Sequence, residues 1–194
     1  MSRAQFLLRE LDRVFDRRGR RALTLLEVGC IRHRDWAQSD GHSTRYIAEW
    51  VASNPPDGDA AHRFIAVDVR TSVCNLVLKE YGLRDYVELR TGDALAVLPT
   101  LNLDHIDLAY LDGPDDPDFT VSIFESVLAR SDADTVFAFD DFNLADSRQV
   151  KGEKLYPALI GFGVEVAFRD RIAIFTIDEQ QKELFHDGKR VHSL

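Results

Sequence analysis

Four apolar runs in this sequence each end in a carboxylate: TLLEVG at Glu27, FIAVDV at Asp68, LAYLDG at Asp112, and VFAFDD at Asp140 and Asp141. An acid at the end of a buried run is costly to strip of water unless it has a partner. One such acid could be half of a structural salt bridge. Four in equivalent positions point to a site that holds hydroxyls, amines or a cation. Continuous Val/Ile/Leu/Phe runs of this kind read as strands buried on both faces, the pattern of a parallel sheet. Open parallel sheets bind ligands beyond the carboxyl ends of their strands.

The segment after the first run adds a glycine loop, from Gly29 through Cys30, Arg32, His33, Trp36 and His42 to Gly41-His42-Ser43-Thr44. Gly29 lets backbone approach a ligand closely, and Ser43 or Thr44 is a suitable N-cap for the next helix. The free N–H groups of that helix would receive an anionic group such as a carboxylate. The dinucleotide fingerprint G-x-G-x-x-G and the P-loop pattern are both absent. Glu27 would repel a pyrophosphate but suits a cationic ligand, so a sulfonium cofactor with an amino-acid end fits better than a dinucleotide. No G-x-S-x-G elbow signals a serine hydrolase. Cys30 has no evident activating base, and with Cys74 it forms neither a disulfide framework nor a zinc-spaced set.

These residues need a scaffold, and the chain alternates strand and helix. An amphipathic helix carries Phe6, Leu7, Leu11, Val14 and Phe15 on one stripe. Strands are predicted at 23–28, 64–67, 86–90, 106–111 and 135–139, with helices at 43–52, 72–81, 93–98, 119–129 and 149–160. VEVAF and IAIFT follow, separated only by Arg169-Asp170-Arg171, a connection that permits a hairpin and forbids a crossover helix. The expected fold is therefore a doubly wound α/β sheet closed by an antiparallel hairpin. It is expected as one domain over 1–194, with an N-terminal helix to residue 20, a core over 23–177 and a polar tail over 178–194.

Composition bounds the partners. The 194 residues are 45% hydrophobic and 29% charged, with a formal net charge of -9. That balance argues against a wide phosphate-gripping surface, and so against nucleic acid. The cluster Arg17, Arg18, Arg20 and Arg21 reads as a solvated helix end. No apolar stretch reaches the ~18 residues needed to span a bilayer, and the N-terminus lacks a secretory h-region. A soluble, cytoplasmic protein is expected, and a homodimer stays open.

With the acids, the glycine loop and the alternation in place, the chain resembles the class I S-adenosylmethionine-dependent methyltransferases over about 23–177. It is most similar to a small stand-alone group whose elongated glycine loop ends in Asp-Gly-x-Ser-Thr. The resemblance implies a Rossmann-like three-layer α/β/α fold of seven strands, with the antiparallel seventh strand inserted beside the fifth. It implies S-adenosylmethionine as cofactor, with Glu27 and Gly29 beside its methionine part and Gly41, Ser43 and Thr44 completing the loop. Asp68 would accept from the two ribose hydroxyls. Gly92-Asp93-Ala94 would meet the adenine, with Asp93 on its exocyclic amine, and Asp112 would line the catalytic centre. Most relatives have a compact E-x-G-x-G-x-G loop, whereas here about eleven residues separate Gly29 from Gly41.

Asp112, Asp140, Asp141 and Asn143 offer hard oxygen ligands suited to Mg²⁺. Catechol-type O-methyltransferases hold magnesium against a substrate diol with a comparable Asp, Asp and Asn. A plain acidic turn is the competing reading. His33 and His42 are the candidate general bases beside Asp112. The Lys151-Gly152-Glu153-Lys154 segment reads as a solvated helix turn, with a substrate contact left open. The expected activity is in-line methyl transfer to a small-molecule acceptor, at an oxygen. The alternatives are a nicotinamide (NAD) oxidoreductase and a non-catalytic cofactor-binding module of the same fold.

Overall fold

The computed structural model describes residues 3–35, 42–142, 151–169 and 171–186. Its seven strands lie in the order β3-β2-β1-β4-β5-β7-β6, mostly parallel with an antiparallel C-terminal pair. The chain divides into two compact units, Met1–Asn102 and Leu103–Leu194. No helix among the described residues is long and apolar enough to cross a membrane.

The first unit holds α1 (Arg3–Arg17), β1 (Thr24–Val28), α2 (Ser43–Ser53), β2 (Arg63–Asp68), α3 (Ser72–Glu80), β3 (Glu88–Thr91) and α4 (Ala94–Val97). β1 pairs with β2 and β2 with β3, all parallel, in a register that sets Val28 beside Val67 and Asp68 beside Thr91. The apolar stripe of α1 is buried as its 3.6-residue period requires, Leu11 and Val14 completely. Trp50 of α2 meets Phe15 edge-on at 5.4 Å and donates its indole N–H to Asp12 at 2.8 Å. His62 accepts the Leu23 N–H through Nδ1 at 3.0 Å and bonds the Asn54 carbonyl through Nε2 at 2.6 Å. A linker histidine with no sequence signal thus fixes how β1 follows α1.

The second unit holds β4 (Leu108–Leu111), α5 (Pro117–Leu128), β5 (Val136–Phe139), α6 (Gly152–Gly161), β6 (Ala167–Arg169), β7 (Ile172–Phe175) and α7 (Glu179–His186). β4 and β5 are parallel; β7 runs antiparallel to β5 on one side and to β6 on the other. Its core is aromatic: Phe124 of α5 packs on Phe137, Phe139, Phe175 and Phe185, and the rings of Phe139 and Phe175 stack at 5.8 Å. Asp116 caps α5 by accepting the Asp118 and Phe119 N–H groups, with Pro117 as first helical residue.

The hairpin and the insertion of the last strand beside the fifth follow the sequence reading. β3 starts at Glu88 instead of Tyr86, because residues 84–86 close a 3-10 turn in which Tyr86 N–H bonds the Leu83 carbonyl. Part of the polar tail forms α7, which the buried Phe185 docks.

At the open end of β2 and β3, Arg63 and Arg90 both pair with Glu88. Burial alone would raise the Glu88 pKa, but the two guanidiniums outweigh it and hold the carboxyl below its ordinary range. A depressed folded pKa contributes stability that is present above the unfolded value and lost as pH falls through the folded one. Glu88→Gln is therefore expected to lower the melting temperature at pH 7 by ~1–2 °C, the size of a partly exposed ion pair. Thermal scans across pH check this: the gap from wild type should close in acid.

Candidate cofactor cradle and acid cluster

The first unit gathers its chemistry at the ends of β1, β2 and β3. Gly29 leaves β1 with a φ of +90°, a conformation that glycine adopts without strain, and its N–H bonds the Val67 carbonyl at 2.8 Å. The chain then passes directly over Asp68, which is only 4% exposed. One Asp68 oxygen accepts the Cys30 N–H at 2.9 Å and Arg32 Nε at 3.1 Å; the other accepts the Arg70 N–H at 2.9 Å. A carboxylate has about four lone-pair sites, and three are taken. Two of the three donors are backbone and fixed. The third, Arg32, is a half-exposed side chain and can leave.

Glu27 is fully buried. Its Oε1 accepts a 2.5 Å hydrogen bond from Ser43, the first residue of α2. The charge-assisted bond ties the start of that helix to the end of β1. His42 precedes the helix and is 1% exposed. A carbonyl can only accept, so its Nε2–H donates to the His33 carbonyl at 3.2 Å. The side chain of His33 is exposed.

Thr44 is fully buried and turned toward Cys74. Cys30 Sγ donates to the Arg70 carbonyl at 3.8 Å, and Cys74, far away in sequence, is its neighbour. That neighbour, burial and the Glu27 and Asp68 charges push the Cys30 thiol far above its ordinary range. Cys30, with Thr44, pulls Cys74 down against the cost of burial. Cys30 is a buried donor with no nucleophilic character at neutral pH.

Beyond Asp68 a cavity of about 360 Å³ opens, bounded by Val69, Arg70, Thr71, Asn75, Arg84 and Thr91. That volume lies within the range of small-ligand pockets. Val69 is 68% exposed, an apolar side chain presented to solvent directly after the buried acid. Thr71 and Thr91 share a 2.5 Å hydroxyl contact, and the Gly92 N–H bonds the Asp68 carbonyl at 3.0 Å. Asp93 is exposed, and its Oδ1 caps α4 by accepting the Leu95 N–H at 2.8 Å. Ala94, the first residue of that helix, is buried.

The second unit brings Asp112, Asp140 and Asp141 together, with one oxygen of each within 4.8 Å of the others. Their environments differ. Asp140 is 3% exposed; Oδ2 accepts the Tyr110 hydroxyl at 2.9 Å and Oδ1 accepts the Asp141 N–H at 2.9 Å. Asp141 sits in the left-handed region with a φ of +55°, a conformation Asp and Asn tolerate best among residues other than glycine. Arg171 Nε stands 2.7 Å from Asp141 Oδ1 as an ion pair, yet that oxygen receives no hydrogen bond among the described residues. Asp112 receives the Lys151 ammonium at 2.7 Å, and the Lys151 side chain is only 2% exposed. Gly152 makes this possible: a Cβ there would press on the Phe142 ring and carbonyl at 3.0 Å, so only glycine lets the start of α6 come this close.

Oxygen donors of this kind are the right chemistry for Mg²⁺. Each of the three acids already has its partner, however: a lysine, an arginine, or a tyrosine hydroxyl with a backbone N–H. A resident divalent ion would meet two cations already paired with these oxygens. Gly41 and Asn143, and with them Trp36, lie outside the described residues.

Sequence reasoning missed Lys151, read as a solvated turn, along with Arg32 as the partner of Asp68, and Val69 and Tyr110. A lysine followed by glycine at a helix start, after an acid-ended strand, was the available signal for the first. Nothing in local sequence marks the Cys30–Cys74 contact, which the fold creates.

Comparison with known proteins places the chain among them. A methyltransferase-domain family matches residues 38–142. The structure is similar to cofactor-bound Rv0187 from MTB, at 20% identity and a TM-score of 0.64 over 91% of this chain and 80% of that one. It is also similar to the O-methyltransferase from Bacillus cereus in complex with SAH, at 19% identity and 0.61 over 91% and 82%. The MycE methyltransferase of the mycinamycin biosynthetic pathway, in complex with Mg and SAH, is 12% identical at 0.60 over 88% of this chain and 49% of that one. Among curated protein sequences none matches.

Asp141 supplies a stability test. Burial and the neighbouring Asp140 raise its carboxyl above the ordinary range, Lys151 and Arg171 oppose them, and Asp112 adds to the rise. An acid with a raised folded pKa costs stability once pH exceeds that value. Asp141→Asn keeps the left-handed preference and removes the charge. It is expected to stabilise the fold at pH 7 by up to about 1 kcal/mol after screening of a one-third-exposed group. Urea denaturation at pH 7 and near pH 4 checks it, with the gain shrinking in acid.

Proposed function

The chain belongs to the methyltransferase-domain family as a class I S-adenosylmethionine-dependent enzyme, and from that premise we propose that it methylates an oxygen of a small-molecule acceptor. The observation that carries the cofactor assignment is Asp68, a buried carboxylate at the end of β2, held by two backbone N–H groups and one removable side chain. The ribose hydroxyls bring two donors to an acid with one lone pair to spare, so Arg32 gives way when the nucleoside binds. Val69, which lines the cavity, would face the adenine, and Asp93 would accept from its exocyclic amine through the oxygen that does not cap α4.

Glu27 acts through Ser43: it fixes the first turn of α2, whose free N–H groups and dipole attract the cofactor's carboxylate. Gly29 gives the backbone its close approach. Thr44, fully buried, packs the loop from within. When bound, S-adenosylmethionine supplies an electrophilic methyl on a sulfonium; the acceptor oxygen bonds to that carbon, the C–S pair returns to sulfur, and the acceptor proton is released. The protein's task is alignment. Asp112 is the candidate to line the catalytic centre, and exposed His33 is the candidate to take the proton. His42, buried and committed to the His33 carbonyl, positions the loop. Oxygen as the acceptor atom is supported by the O-methyltransferase among the similar structures.

Calorimetric titration with S-adenosylhomocysteine, beside NAD, tests this. Binding in the ~1–50 μM range is expected. Asp68→Ala should weaken it by about 100-fold or more, since it removes hydrogen bonds to a charged acceptor. Arg32→Ala should tighten it about two- to five-fold, the worth of a half-exposed ion pair. Binding of NAD with no heat from S-adenosylhomocysteine would overturn the assignment. Binding without turnover in a broad acceptor screen would make the chain a cofactor-binding module.

A further inference from the structure

Lys151 is buried to 2% exposure and pairs with Asp112 at 2.7 Å, with Asp115 a looser 4.0 Å away. A buried ammonium is expensive to desolvate and persists only with close anionic partners. The geometry here is organised to supply them. β4 delivers Asp112 from its end, and β5 delivers Asp140 and Asp141. Gly152 lets α6 enter close against Phe142 with Lys151 as its N-cap residue. That placement runs against the helix dipole, which disfavours a cation at a helix N-terminus. Lys151 is held there by the acids, and its helix position is paid for by them.

The acid cluster therefore already carries two cations against its three carboxylates. Three carboxylates face Lys151 and Arg171, and Asp140 spends both oxygens on Tyr110 and the Asp141 N–H. A divalent ion binding between these oxygens would have to compete with Arg171 and break the pair that the buried Lys151 makes with Asp112. We infer that Lys151 is the built-in cation of this cluster, standing where a divalent ion would otherwise bind, and that methyl transfer by this chain needs no metal. The inference rests on the methyltransferase reading only for the word transfer; the occupancy of the cluster stands by itself. It also bears on the acceptor. A divalent ion chelates a vicinal pair of oxygens, whereas an ammonium donates to them one at a time. An acceptor that meets Lys151 needs a single oxygen.

The experiment is titration of the full-length protein with Mn²⁺, read by loss of the free-ion electron paramagnetic resonance signal. Wild type should leave the signal intact up to about 1 mM Mn²⁺. Lys151→Met removes the charge and keeps an apolar stem, and it should bind Mn²⁺ at least about tenfold more tightly. Lys151→Gln serves as the second variant, and circular dichroism verifies that each is folded. Adding Asp112→Asn to the Lys151→Met chain should abolish the gain. Micromolar Mn²⁺ binding by wild type, lost in Asp112→Asn, would overturn the inference, and so would a folded Lys151→Met that gains no affinity. These outcomes are independent of S-adenosylhomocysteine binding, so failure of the cofactor assignment is separately visible.

Discussion

The Asp68 carboxylate, buried at the end of β2, constrains everything around it. A charge at 4% exposure survives only if donors surround it. The chain meets that need with the Cys30 N–H from the loop after β1 and the Arg70 N–H from its own loop. The first requires Gly29, whose positive φ turns the backbone over the acid. The second directs residues 69–71 outward, which presents Val69 and opens the cavity beside it. Stabilising one acid thus leaves a buried acceptor one residue before a cavity whose lining begins with the apolar Val69. Arg32 supplies a partner that can be exchanged for a ligand.

The acids that look alike in sequence receive different treatment in structure. Glu27 is sealed and braces a helix through Ser43. Asp68 is buried but keeps capacity for new donors. Asp112 is 41% exposed on its side chain and holds a buried lysine, while Asp140 is saturated by Tyr110 and a backbone N–H. Equivalent positions at strand ends supply carboxylates; the neighbours decide whether each is a brace, a ligand site or a counter-ion.

Most elements were legible because buried parallel strands are written as continuous apolar runs, and because a link as short as Arg169-Asp170-Arg171 allows only a hairpin. The strand-end acids were legible for the same reason. The sheet order was implied by the family resemblance alone. Less visible were contacts that only the fold creates. Cys30 and Cys74 meet because α3 packs beside the loop after β1, and Lys151 is buried because Gly152 admits it next to Phe142. Charge patterning called Lys151 solvated; three nearby carboxylates reversed that. The start of β3 was misjudged because Tyr86 has strand propensity but is used by a 3-10 turn.

A crystal structure of the full-length protein with S-adenosylhomocysteine tests the central claim most directly. The expected result is both ribose hydroxyls donating to Asp68, with Arg32 swung away from the carboxylate and the adenine over Val69. A complex in which Arg32 keeps its bond to Asp68 and the ribose lies elsewhere would contradict it.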